Sequence, residues 1–274
     1  MSDQPKPRGV CSFGGGIQST ALAIMACHEP ERLKKAGAIP QDWIFADTGD
    51  EPDEVYENIQ QCAPMLADHG ITLHTVSAGV LSDHVKAGGN HWPPLFVRGE
   101  DGKATPVARQ CTRAFKIDPI TAKIRDLYPD RHHTRPVFQW FGISVDEMQR
   151  AKISQLKWLQ FKYPLIDCLI SRGECREIVR AHGWEPVRSA CWHCPFHSQH
   201  EWERLRSTRH WDQIVSLEKS LHELWEDRGT GRWGRLREKP YLHRSLVPID
   251  STTGRQMELI EWDMQSECAG VCGV

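Results

Sequence analysis

The stretch Cys11-Ser-Phe-Gly-Gly-Gly-Ile-Gln-Ser-Thr20 decides how this chain is read. A strand-like run ends at Ser12, and a helix-like run, Ser19 to Cys27, follows the three glycines. Glycine lets the backbone approach a ligand closely and adopt positive φ. A helix start turns its unbonded N–H groups toward such a loop, which makes an anion site. Ser19 and Thr20 add hydroxyl donors. The expected ligand is a phosphate group; the other reading of the same residues is a glycine turn with an N-cap. The segment is not a Walker loop, because the Gly-Lys-Ser/Thr ending is missing.

Outward from this loop, strand and helix signals alternate. Val10 to Ser12, Trp43 to Ala46, Thr72 to Val76 and Val137 to Gly142 read as short buried strands. Ser19 to Cys27, Pro52 to His69 and Ile117 to Leu127 read as helices, the second entered through a proline with acidic neighbours. Such alternation predicts an α/β fold, a doubly wound parallel sheet whose ligands bind at the carboxyl ends of the strands. The glycine loop, Asp47 and Gly142 fall at such ends. Residues 84–110, rich in Gly and Pro, are expected to form a loop or flap over the site. A helix is expected over Arg172 to His182. Within 200–228, Trp202, Leu205, Trp211, Ile214, Leu217, Leu221 and Trp225 form a stripe expected to be core. The organisation expected is a nucleotide-binding domain over 1–165 and a Cys-rich, mostly helical region over 166–274.

Three further segments accompany the loop in order: Asp47-Thr-Gly49, Gln110-Cys-Thr-Arg-Ala-Phe-Lys-Ile-Asp-Pro119, and Gly142-Ile-Ser-Val-Asp-Glu147. Together they resemble the PP-loop nucleotide family, in its PAPS-reductase-like branch, over about residues 8–200. That branch also holds ATP-dependent sulfur transferases acting on tRNA and DNA. The family loop reads Ser-Gly-Gly-x-Asp-Ser; here Gly14, Gly15, Gly16, Ile17, Gln18 and Ser19 stand in those places, so its Ser is Gly and its Asp is Gln. The resemblance implies a HUP-like fold. It implies a nucleotide, ATP or PAPS/APS, held by Ser12, Gly14, Gly15, Gly16, Gln18, Ser19, Thr20, Asp47, Thr48, Gly49, Arg113, Lys116 and Gly142, with Asp146 and Glu147 near base or ribose. Asp47 and Asp50 are candidates for Mg²⁺ through oxygen. Arg109, Arg113 and Lys116 are placed to hold phosphates or a leaving pyrophosphate, and Asp47 and Lys116 are expected to act in catalysis.

Cys191-Trp-His-Cys194-Pro195 is a C-x-x-C pair able to clamp one metal or sit on an iron–sulfur cluster. Cys175 and Cys111 make a set of four. Their order and context resemble family members with a four-iron cluster beside the nucleotide. On that resemblance Cys111, Cys175, Cys191 and Cys194 are the expected ligands of a 4Fe-4S cluster, with structural Zn²⁺ as the alternative. Cys11, Cys27, Cys62 and Cys168 lie in apolar runs and are expected to pack. The ending Glu267-Cys-Ala-Gly-Val-Cys-Gly273 resembles the Glu-Cys-Gly tail of PAPS reductases, which makes Cys268 and Cys272 candidate catalytic thiols or further ligands.

Composition bounds the rest. At 274 residues, 39% apolar and 26% charged, the chain has the make-up of an ordinary globular protein. A net charge of -2 gives no global attraction to nucleic acid or membrane. No apolar stretch approaches a membrane span and no secretory signal is seen, so a cytoplasmic location with reduced thiols is expected. The run Arg228 to Arg244 mixes cations with Trp233 and Tyr241, as a surface for phosphates and stacked bases would, or as an exposed basic loop packed by its aromatics. Two activities are expected in turn. The first is an ATP pyrophosphatase that activates a tRNA or DNA acceptor for sulfur transfer, supplied through a persulfide by a cysteine desulfurase. The alternative is a reductase of phosphoadenylylsulfate or adenylylsulfate that uses a tail cysteine and a thioredoxin-like thiol.

Overall fold

The computed structural model describes residues 8–132, 135–227 and 233–252. Five parallel strands, β1 (Gly9–Ser12), β2 (Asp42–Asp47), β3 (Thr72–Ser77), β6 (Val137–Phe141) and β7 (Leu159–Lys162), form one sheet in the order β3-β2-β1-β6-β7. A small antiparallel hairpin, β4 (Phe96–Arg98) with β5 (Ala104–Pro106), stands apart. The chain runs outward from β1 to β3, then returns across the sheet to β6. The order therefore reverses between β1 and β6, where a doubly wound sheet opens its ligand crevice. The expected doubly wound α/β class is what the chain adopts; β7 was not among the expected strands.

One face of the sheet carries α1 (Ile17–His28), α2 (Asp53–Asp68) and α6 (Arg172–Ala181). Residues 17–27 of α1 are all buried, as a helix apolar on every side must be. Cys11, Leu22, Met25, Trp43, Cys62, Leu66, Trp140, Cys175 and Val179 fill this core. The other face carries α4 (Asp118–Leu127), whose Ile120 and Ile124 pack with Val10, Ile44, Val137 and Trp158. A π-helical turn, Arg113–Ile117, leads into α4. Cys11, Cys27 and Cys62 are buried and Cys168 half-buried, and burial raises each thiol pKa, Cys27 to about 11 and Cys62 to about 12. They pack, as their apolar settings predict.

A second core joins α3 (Leu81–Lys86) and the hairpin region to α7 (Gln199–Arg206) and α8 (Trp211–Glu226). It contains Leu81, Trp92, Leu95, Phe115, Trp192, Trp202, Leu217, Trp233, Leu242 and Ile249. The 200–228 stripe is interrupted between α7 and α8; its aliphatic members and Trp202 are buried, while Trp211 and Trp225 are half-buried. The cores do not divide at residue 165. Residues 81–115 pack with the C-terminal helices, and α6 packs on α1. A further short helix, α5 (Pro164–Asp167), follows β7.

Glu218 on α8 holds the last described segment. Its buried carboxylate accepts the backbone N–H groups of Leu242 and Ile249. Burial raises its pKa to about 7, with Asp250 adding to the rise, against the two hydrogen bonds and Lys239. The folded state thus holds the proton more tightly than the unfolded chain. Its contribution to stability is full at pH values below about 4.5, falls as pH rises, and levels off above about 7. This one group is expected to cost on the order of 3 kcal/mol across that window. Urea unfolding of wild type and Glu218→Gln at pH 5 and pH 8 checks it: the variant should be weaker at pH 5 and show a smaller difference between the two.

Candidate active site at the carboxyl edge

The glycine loop closes on itself. Gly15 sits at φ +70°, and a Cβ there would lie 3.0 Å from Val55 Cγ1, so glycine is required twice over. Gly16 N–H donates to Ser19 Oγ at 3.0 Å, and the same hydroxyl donates back to Gly16 O. Thr20 Oγ1 accepts from Asn58 Nδ2 at 2.7 Å. Gln18 is 1% exposed, and its Nε2 donates to Ser144 Oγ (3.0 Å) and Glu147 Oε2 (2.7 Å). The Ser19, Thr20 and Gln18 side chains, expected on a phosphate, are thus engaged within the protein. What the segment offers an anion is the N-terminal backbone of α1.

β6 closes this edge from the other side. A Cβ on Gly142 would come within 3.1 Å of Ser19 N, so the exit of β6 lies against the first turn of α1. Glu147 beyond it is buried and bonded by Arg150 (2.6 Å) and Arg172 (3.2 Å) as well as Gln18. Asp146 accepts the N–H of Arg172 and opens α6. Ser12 accepts from Gln139 Nε2 at 2.7 Å.

The turn after β2 is built from acids that face inward. Asp47 Oδ1 accepts the Gly49 N–H and the Tyr56 hydroxyl, both at 2.8 Å. Asp50, expected at Mg²⁺, instead binds His193 Nε2 at 2.9 Å and Ser82 N and Oγ at 2.6 and 2.8 Å. Burial pushes the Asp50 carboxyl up, but the His193 and Ser82 hydrogen bonds outweigh it and hold it below its ordinary value. Since a carboxylate only accepts, His193 Nε2 carries the shared proton. Glu51 pairs with Lys116 at 2.8 Å, both side chains buried. Thr48 Oγ1 lies 3.4 Å from Glu51 Oε1 and 3.4 Å from Cys191 Sγ.

Three of the four expected cysteines meet here. Cys111, Cys191 and Cys194 line a narrow cleft of about 30 Å³ with Thr48, Lys116 and His193. That is room for about one water-sized species, far below nucleotide size. The Cys191–Cys194 turn closes through Cys194 N to Cys191 O at 2.9 Å. His197 Nε2 supports the same carbonyl at 2.9 Å, and burial holds this imidazole neutral, its pKa lowered to about 3. Cys175 stands elsewhere: it is 0% exposed on α6, in the core shared with α1, and does not line the cleft. Among the described residues no group of three or more His, Cys, Asp or Glu side chains is arranged to hold a metal ion. The cluster or zinc site expected on four thiolates is not shown by this arrangement. Cys268 and Cys272 lie outside the described residues.

Two cationic expectations change. Arg113 is mostly exposed, its nearest acid Asp118 at 3.9 Å, whereas Arg109 lines the thiol cleft. In the basic run, Trp233 is buried against Trp92 with ring centroids 4.7 Å apart, and the Tyr241 backbone pairs with Phe96. Trp233 thus packs in the second core, and the half-buried Tyr241 ring lies against His222. Residues the sequence did not single out for the site are Glu51, Asn58 and Arg172. A weak signal existed for one: Glu51 stands two residues beyond the Asp-Thr-Gly turn.

No protein-family model and no curated protein matches the sequence. Among solved structures, one similar chain is a phosphoadenylyl-sulfate (PAPS) reductase from Candida auris in a phosphate complex. It is 13% identical, with 72% of this chain and 83% of that chain covered, at a TM-score of 0.42.

Lys116→Met would leave the Glu51 carboxylate buried without its cation. The expected cost is about 3–5 kcal/mol in chemical denaturation, and pairing it with Glu51→Gln should recover part of the loss.

Proposed function

We propose that this chain is a PP-loop-type nucleotide enzyme of the PAPS-reductase-like kind that uses ATP to activate an acceptor oxygen for sulfur transfer. One observation carries the reading. Thr48, directly after the carboxyl end of β2, the strand paired with β1 from which the glycine loop leaves, also walls the cleft of Cys111, Cys191 and Cys194. Nucleotide edge and thiols thus share a residue.

In this reading the ATP phosphates lie on backbone N–H groups at the start of α1, where the helix dipole favours negative charge. The acceptor oxygen attacks the α-phosphorus, and the bond to pyrophosphate breaks. The adenylated oxygen becomes a good leaving group, and a sulfur nucleophile then displaces AMP. Cys191, whose Sγ lies 3.4 Å from Thr48 Oγ1, is the thiol assigned to carry that sulfur as a persulfide from a cysteine desulfurase. Its outer sulfur displaces AMP, and Cys194 thiolate then attacks Cys191 Sγ to release the thiolated acceptor. An external thioredoxin-like thiol reduces the Cys191–Cys194 disulfide that is left. Mg²⁺ bound with ATP would offset phosphate charge; with Asp50 committed to His193 and Ser82, Asp47 is the carboxylate left for it. The acceptor we assign is a nucleic acid, tRNA or DNA, met by the exposed cations Arg235 and Arg237.

The test is pyrophosphate release from ATP, measured with and without tRNA or DNA. Stimulated release is expected. Gly15→Ala should weaken ATP binding, because the added methyl meets Val55 in a left-handed backbone. Cys191→Ser should keep ATP binding and lose thiolated product. Sulfite from an adenylylsulfate, without pyrophosphate release from ATP, would replace this reading with a reductase.

A further inference from the structure

Three consecutive glycines have no side chains with which to hold themselves in place. Each gives up more conformational freedom on ordering than any other residue. A preorganised anion site on such a loop therefore needs an anchor from another element. Asn58, on the face of α2 turned toward α1, reaches it. Its Nδ2 donates to Gly15 O at 2.8 Å and to Thr20 Oγ1 at 2.7 Å. The carboxamide is oriented from both ends, since Cys62 Sγ lies 3.9 Å from Asn58 Oδ1. Asn58 is 4% exposed, so neither bond competes with bulk water.

The two acceptors are not equivalent. Gly15 O belongs to the loop, and Thr20 belongs to the first full turn of α1, whose N–H donates to Gly16 O at 2.9 Å. One amide group thus clasps loop and helix together. Fixing the Gly15 carbonyl fixes the plane of the Gly15–Gly16 peptide, and the Gly16 N–H on its far side meets Ser19 Oγ. From there the direction of every following amide in the first turn is set. Val55 and Ile59, either side of Asn58 on α2, would lie 3.0 and 3.2 Å from a Cβ on Gly15, so α2 packs closely on the loop.

We propose that Asn58 is the positioning residue of the nucleotide loop, holding its backbone donors in the anion-binding arrangement before ligand arrives. This rests on the nucleotide reading above. Asn58 touches no reacting atom; it acts through Gly15 and Thr20.

The experiment compares wild type, Asn58→Asp, Asn58→Ser and Thr20→Val, with Mg²⁺–ATP as the probe. Asn58→Asp keeps the shape and replaces both donors by acceptors. The expected rise in its ATP Kd is about tenfold or more, with a smaller rise for Thr20→Val. Hydrogen exchange supplies the second readout. Amides of residues 14–20 should exchange faster in Asn58→Asp while those of β1 and β6 stay unchanged, and saturating ATP should restore protection. Asn58→Ser keeps one shorter donor and gives the same readouts if the Asp variant does not fold. An unchanged Kd in a variant while wild type binds ATP would overturn the assignment. So would exchange that quickens equally over the whole sheet, which is what a merely structural residue gives. Wild type that binds no adenine nucleotide would overturn the nucleotide reading first, and this assignment with it.

Discussion

The carboxylate of Asp50 is the point on which the two halves of this molecule turn. It accepts a hydrogen bond from His193 Nε2, in the Cys191–Cys194 turn, and two hydrogen bonds from Ser82 at the start of α3. Its own carbonyl accepts the N–H of Trp192 at 2.9 Å. Three segments far apart in sequence therefore meet at one buried charge. Burying a carboxylate is costly unless it is fully satisfied, and here the partners outweigh the burial term. The thiol-bearing turn is thereby tied to the segment after β2 by hydrogen bonds to both the side chain and the backbone of Asp50.

The Glu51–Lys116 pair repeats this one residue on. It draws the π-helical turn before α4 to the same edge and sets Lys116 on the wall of the thiol cleft. The Glu51–Lys116 pair neutralises its charge internally. The edge of the sheet is thus shaped by acids and bases that face each other, and the backbone of the glycine loop is what remains to meet an outside anion. Gln18 fits the same pattern, since its amide closes the Glu147 cluster.

Much of the fold was legible because it is local. Short apolar or β-branched runs marked β1, β2, β3 and β6, although β3 proved an edge strand without a buried residue, and the apolar run Ser19 to Cys27 marked α1, which begins two residues earlier. β7 was missed because Leu159–Lys162 is a four-residue edge strand that alternates with polar residues and carries no turn signal. The site was legible where residue type alone points to chemistry, as for the glycines and the C-x-x-C pair. It was not legible where the partner lies far along the chain. Asp50 and His193 are 143 residues apart, and nothing in either neighbourhood announces the other. Cys175, a thiol singled out by residue type, lies on the face of α6 that packs in the core shared with α1. Trp233, an aromatic among cations, follows the packing reading of that run and fills the second core.

The interleaving of the two cores sets an order of assembly on the ribosome. Residues 81–115 emerge early, but the helices that cover Trp92 and Leu95 are made more than a hundred residues later, and Ile249 completes the same cluster. During synthesis this apolar segment hangs from a nearly finished sheet without its cover. The nascent chain thus exposes a sticky stretch for a long interval, which makes it a client for chaperones. For the same reason, cutting the gene between the two regions would leave both pieces with an open core.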